Sequence, residues 1–218
     1  MRSVRKQEAA PGHARVRGRV RGSPVAPPFG LYVEGPRDRS ILRAWAYRLM
    51  PIEARPLFRG CVILGGRRPD RALEHFRGSS ASRGLCVLDC DGEDAPTLPG
   101  EDGLEFFTWT RRHIESYVLV PAAIRRVLRL RPDDRRVERL LSDVLPEGRD
   151  VSAWQRLDAK QLLGRNGDLA RVLGRDLPLA QIARATREDE LHEDVHELFG
   201  RIRGALGPEP ARGGRPVF

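Results

Sequence analysis

The chain has 218 residues, 32% of them charged and 40% hydrophobic, with a formal net charge of +9. That length suits one domain with an appendage and is ample for a core, and no apolar run approaches the roughly 20 residues that a membrane-spanning helix needs. The cysteines (Cys61, Cys86, Cys90) are an odd set without a Cys-x-x-Cys pair, which argues against a disulfide framework or a structural zinc site and fits a reduced, cytoplasmic protein.

Residues 1–29 hold Arg2, Arg5, Lys6, Arg15, Arg17, Arg19 and Arg21 against Glu8, so +6 of the +9 lies there and +3 is left for the rest. This stretch is rich in Pro and Gly and lacks apolar periodicity, so it reads as a basic disordered arm. Such an arm either holds phosphates in a salt-dependent way or is an unselected tail. It has no apolar middle of the kind a signal peptide carries.

Residues 31–34 read as a first buried strand that stops on Glu34. Pro36 suits an early helical position, and 37–50 reads as a helix stopped by Pro51. Residues 57–64 read as a second strand closed by Gly65-Gly66, 71–77 as a short helix, and 84–89 as a third strand. A turn-rich loop is expected over 92–103. Residues 104–110, with their high β propensity, read as a fourth strand. Strands alternating with helices predict a mostly parallel four-stranded α/β sheet flanked by helices. After Arg111 the helix-like stretches are 113–130, 133–145, 153–163, 167–173, 179–185 and 188–206, with Pro or Gly at the breaks. The expected organisation is the arm, an α/β core over 30–130, an α-helical C-terminal extension over 131–206 and a flexible tail over 207–218.

The acids carry the chemistry. Glu34 ends the first strand, and Asp89 and Asp91 end the third. Parallel neighbours about 5 Å apart finish on one edge, so these carboxylates are expected to converge. Asp89 and Asp91, two residues apart, face one side while Cys90 faces the other. Glu115, just past the fourth strand, is a candidate to join them. Two carboxylates about 4 Å apart repel by roughly 4 kcal/mol at an effective dielectric near 20, so such a cluster asks for cations. Oxygen-only donors suit Mg²⁺ or Mn²⁺. A pair of such ions about 4 Å apart clamps a phosphodiester. The bland alternative makes each acid a cap or turn residue. Asp38 fits either a helix-dipole role or a place behind the acids, and Asp91-Gly92 also reads as a plain turn.

Val33-Glu34-Gly35-Pro36-Arg37-Asp38 followed by Asp89-Cys90-Asp91 resembles the Toprim domain, a Rossmann-like fold shared by topoisomerases, bacterial primases and small nucleases. Thr110-Arg111-Arg112-His113-Ile114-Glu115-Ser116-Tyr117 resembles the Arg-x-x-Ile-Glu-Asn-Tyr segment of the overcoming-lysogenization-defect (OLD) nuclease group. The resemblance covers about residues 30–130. It implies a two-metal nuclease site in which Glu34, Asp89, Asp91 and Glu115 hold Mg²⁺ or Mn²⁺, with Glu34 and Lys160 serving the reaction. Gly35 and Asp38 would lie behind the site. Lys160 matches a lysine that in this group follows a glycine, here Ala159, and would stabilise charge on the phosphate. The implied partner is nucleic acid, DNA before RNA. Members of the group carry an ATPase domain, whereas this chain has no Gly-x-x-x-x-Gly-Lys-Ser/Thr loop. ATP control would therefore need a separate partner protein, and a non-catalytic binding module is the alternative.

Lys160 stands out independently, since Lys6 is the only other lysine. Gly65-Gly66-Arg67 suits either a phosphate approach or an ordinary strand-to-helix turn. Arg111 is a candidate to grip a nucleic-acid backbone or to pair with nearby acids. His192-Glu193-Asp194-Val195-His196 has zinc-peptidase spacing, but its charged surroundings read as a solvated helix face. Tyr117 and the tryptophans Trp45, Trp109 and Trp154 read as packing residues.

Overall fold

In a computed structural model, β1 (Phe29–Val33), β2 (Val62–Ile63), β3 (Arg83–Leu88) and β4 (Leu104–Thr108) form one parallel sheet in the order β2-β1-β3-β4. The structure describes residues 29–90, 98, 100–146, 148 and 150–207. The expectations for the arm over 1–28, for Asp91 and the loop to 97, and for the tail from 208 lie outside the described residues. The helices are α1 (Pro36–Leu49), α2 (Ala54–Arg59), α3 (Pro69–Gly78), α4 (Pro121–Leu128), α5 (Arg136–Val144), α6 (Val151–Arg156), α7 (Ala159–Leu163), α8 (Asp168–Leu173), α9 (Leu179–Ala185) and α10 (Glu193–Leu206). The protein is thus α/β, a Rossmann-like parallel sheet flanked by helices with a helical C-terminal region, as the alternation in the sequence predicts.

Period-two alternation sorts the strand residues between two cores. Leu31, Val33, Leu85, Val87 and Phe107 face the larger one, with α1, α2 and the C-terminal helices. Tyr32, Cys86, Leu88 and Leu104 face the smaller one, closed by Ala72 and Phe76 of α3. The C-terminal helices do not build a core of their own. Ile182 of α9 and Leu198 and Phe199 of α10 belong to the same cluster as the sheet.

Several element boundaries differ from the sequence reading. Residues 57–64 are not one strand. Ala54 and Phe58, four apart, bury one helical face as α2, Gly60 ends it, and two residues are left to pair with β1. Residues 113–130 split because Pro121 forces its predecessor out of helical geometry. Val120 is extended between a 3₁₀ turn (Ile114–Val118) and α4. Residues 153–163 split at Asp158, whose side chain accepts from Gln161 N and caps α7. No helix among the described residues is long and apolar enough to cross a membrane.

Candidate functional site

Chain connections from β1 and β3 diverge: β2 lies on the far side of β1 and β4 on the far side of β3. Their carboxyl ends therefore bound a crevice at a topological switch point, where open α/β sheets hold ligands. Glu34 follows β1 and Asp89 follows β3, so both stand at that crevice. Glu34 Oε1 accepts a 2.7 Å hydrogen bond from the Asp89 backbone N–H.

The loop after β2 braces the same two residues. The N–H groups of Gly65 and Gly66 both donate to the Glu34 carbonyl, at 2.9 and 3.0 Å. Both glycines take positive φ, +80° and +117°, which a side chain would oppose. Arg67 donates to the Asp89 carbonyl. These amides are committed to the protein itself, so the loop is a clamp on the acid-bearing strand ends.

Asp89 is almost fully buried, and each of its carboxylate oxygens accepts one hydrogen bond. Oδ1 accepts from Ile114 N–H at 3.0 Å, and Oδ2 meets Lys160 Nζ at 2.6 Å. The first bond anchors the 3₁₀ turn and carries Glu115 into the cluster. Glu115 is 1% exposed. Its Oε1 accepts from Arg37 at 3.2 Å, while Oε2 is buried with no hydrogen-bond partner among the described residues. Asp38, one helical turn past Gly35, completes the group. A Cβ on Gly35 would come within 2.8 Å of Asp38 Oδ2, so the missing side chain makes room for that carboxylate.

These charges perturb one another. Burial pushes the Asp38 carboxyl up to about 7, and the charges of Asp89 and Glu115 add to the effect. Burial likewise raises Glu115, against the pull of its own backbone N–H and of Lys160. Burial works to lower Lys160, but the Asp89 hydrogen bond and the charges of Asp89, Glu115 and Asp38 hold its ammonium above the usual lysine range. His113, buried beside the cluster with Nδ1 4.0 Å from Asp158, is lowered by burial and by the Lys160 charge.

The structure therefore brings together Glu34, Gly35, Asp38, Asp89, Glu115, Lys160 and Arg67. Arg111 stands apart. Its guanidinium lies 3.6 Å from the Trp154 ring centroid and 4.9 Å from that of Tyr117, and it donates to the Ser116 carbonyl. It is a packing and bracing residue in this position, and Trp154 is its stacking partner.

Among the described residues, no three acid, histidine or cysteine side chains already stand in an ion-holding arrangement. The chemistry of the donors nevertheless suits a hard divalent cation. They are carboxylate oxygens, Glu115 Oε2 has no partner among the described residues, and burial together with the charges of Asp89 and Glu115 raises Asp38 to about 7.

Two contributors were missed in the sequence. Arg37 lies in the Toprim-like stretch and in the expected helix without a role of its own there, yet it pairs with Glu115. Its partner lies 78 residues away, so local spacing carries no signal of the pair. Asp194 was read as solvated but is 4% exposed. It accepts from Tyr117 Oη and, at 2.6 Å, from Thr110 Oγ1. His192 caps α10 by accepting from Asp194 N–H, while His196 Nε2 meets the Glu188 carbonyl at 3.3 Å.

No protein-family model matches the chain, and neither the curated proteins nor the solved structures give a significant match.

Proposed function

We propose that the protein is a Toprim-like nuclease of the OLD type that cleaves nucleic-acid phosphodiester bonds with Mg²⁺ or Mn²⁺. The observation that carries this reading is the meeting of Glu34 with Asp89, 55 residues apart, in the switch-point crevice where Glu115 also presents a buried oxygen that has no partner among the described residues. Glu34, Asp89 and Glu115, with Asp91 as the fourth acid, would hold the ions. Bound there, the metal supplies an activated water and charge neutralisation at the phosphate.

The chain's own groups have distinct tasks. Lys160 has a 43% exposed side chain anchored on Asp89, which leaves its ammonium available to a phosphate oxygen from the solvent side. Arg37, 53% exposed, fixes Glu115 while presenting a guanidinium at the mouth. Asp38, poised near neutrality, is suited to take or give a proton. The Gly65-Gly66-Arg67 clamp keeps the two strand ends in register.

A second reading is a metal-binding module that retains nucleic acid without turnover, coupled to a separate ATPase. The Lys160 ammonium on Asp89 Oδ2 favours it, because that contact already neutralises a would-be ligand. Incubation with plasmid DNA, single-stranded DNA and RNA, with Mn²⁺ or with EDTA, separates the two. Cleavage that requires Mn²⁺ and disappears in Glu34→Gln supports the nuclease. Retention of nucleic acid with no cutting under any metal supports the module.

A further inference from the structure

Helix α9 links two hollows. The first, of about 490 Å³, is lined by Arg37, Ser40, Arg165 and an apolar floor that includes Leu163, Leu177 and Leu179. The second, of about 540 Å³, is lined by Arg126, Val127, Arg129, Gln181 and Arg184. Leu179 and Ala180 of α9 line the first hollow and Gln181 and Arg184 the second, so the hollows follow one another along the helix, with Leu179 and Arg184 about 7.5 Å apart along its axis.

Arg37 belongs both to the first hollow and to the acid cluster, through Glu115. Among the described residues Arg165 pairs with Asp176, at 3.6 Å, with both side chains largely in solvent, a pair that a phosphate displaces at little cost. In the second hollow Arg126 is paired with Glu190. Arg129 and Arg184 are exposed and meet no carboxylate among the described residues. Arg129 also takes the left-handed conformation (φ 51°) that closes α4, where glycine is the ordinary and unstrained choice.

We propose that a single strand of nucleic acid leaves the acid cluster past Arg37 and runs along α9. Its phosphates meet Arg165, Arg129 and Arg184, and its sugars and bases lie over the apolar floor. Arginines at the rim with Leu and Val beneath suit a strand whose bases are unpaired, because a duplex keeps its apolar faces stacked inside. The direction of the track rests on the nuclease reading, but the track itself is open to a binding measurement alone.

The test is anisotropy of a labelled oligothymidylate, in EDTA so that nothing is cut, across a series of salt concentrations. The proteins are the full chain, Arg129→Glu with Arg184→Glu, and Arg55→Glu with Arg59→Glu as a control of equal charge change on α2. The basic N-terminal stretch is common to all of them and cancels. The α9 pair is expected to weaken binding about tenfold or more and to reduce the salt slope by about 1.4, for two lost single-strand phosphate contacts. The α2 pair should stay close to the parent. Arg129→Gln with Arg184→Gln, a milder change that loses the same two contacts, should show the same reduction in slope, which keeps the test decisive where charge reversal disturbs folding. Equal losses in both pairs, an unchanged α9 pair, or preference for the matching duplex overturns the track. If the α9 pair loses binding while no metal supports cutting, the track stands and the nuclease reading fails. If metal-dependent cutting needs Glu34 while the α9 pair binds normally, the track fails and the nuclease reading stands.

Discussion

Replacing Lys160 by Met tests whether the acid cluster is held by cations. The ammonium sits 2.6 Å from Asp89 Oδ2, and the Asp89 side chain is 2% exposed. Removing one partner of a buried pair costs about 3–5 kcal/mol because a charge is left stranded. Lys160 is nearly half exposed, so water partly replaces it, and a discounted cost of about 2 kcal/mol is appropriate. For a chain of this size that lowers Tm by roughly 4–8 °C. Asp89→Asn removes the charge but leaves an amide facing the ammonium. The double variant therefore has nothing left to strand, and its loss should fall short of the summed single losses by about 1–2 kcal/mol. Thermal unfolding followed by circular dichroism at pH 7 in EDTA measures all four corners of the cycle. With Mn²⁺ added, Lys160→Met should gain more Tm than the parent, because the competing cation has gone. Additive losses within about 0.5 kcal/mol, together with equal Mn²⁺ gains, would refute the idea that Lys160 and a divalent ion share Asp89.

Glu34→Gln should abolish Mn²⁺-dependent cleavage by more than the roughly 10- to 100-fold typical of residues behind a ligand, as read on supercoiled plasmid. Asp38 gives a pH prediction. Its folded-state pKa of about 7 lies above the roughly 3.9 of an unfolded chain. Between those values the folded protein holds a proton that the unfolded one has released, so this contribution is complete below about pH 4 and is lost as pH rises through 7. The displacement bounds the effect at about 4 kcal/mol. Asp38→Asn should flatten the decline in urea stability across that window, and an unaltered slope would assign the decline elsewhere. Asp194→Ala strips partners from Tyr117 Oη and Thr110 Oγ1 and should cost about 2–4 kcal/mol. Calorimetry checks it, and a loss under about 0.5 kcal/mol would mean that water fills the gap.

The parts of the architecture that were legible in the chain are those governed by local pattern. Apolar runs ending on acids predicted strands whose carboxyl ends share an edge, and the structure puts Glu34 against Asp89 there. Pro36 marked the start of α1. Residues 57–64 misled because Leu57, Phe58, Val62 and Ile63 satisfy either period. Packing of Ala54 and Phe58 under β1 and α1 decided for helix. Asp194 misled for a different reason. Its neighbours Glu193 and Glu197 are exposed, and His192 together with tertiary partners from the segment after β4 makes burial of the carboxylate affordable. Long-range partners of this kind leave no periodic trace.

Asp89 shows why sequence cannot divide a site residue from a structural one. Its carboxylate accepts from Ile114 N–H, and that bond sets where the chain turns after β4. Glu115 is the next residue, so the same carboxylate that would ligate an ion also fixes the place of a second ligand. Loss of activity in Asp89→Asn would therefore report two faults at once. Glu34 is free of this ambiguity in one respect, because its fold-bearing contacts are made by its carbonyl, through Gly65 and Gly66, rather than by its carboxylate alone. Glu34→Gln keeps those backbone bonds and an oxygen for the Asp89 N–H, and it changes charge without changing shape. It is the substitution in which a lost metal response, at unchanged stability, isolates the chemistry of the cluster from its role in holding the sheet edge together.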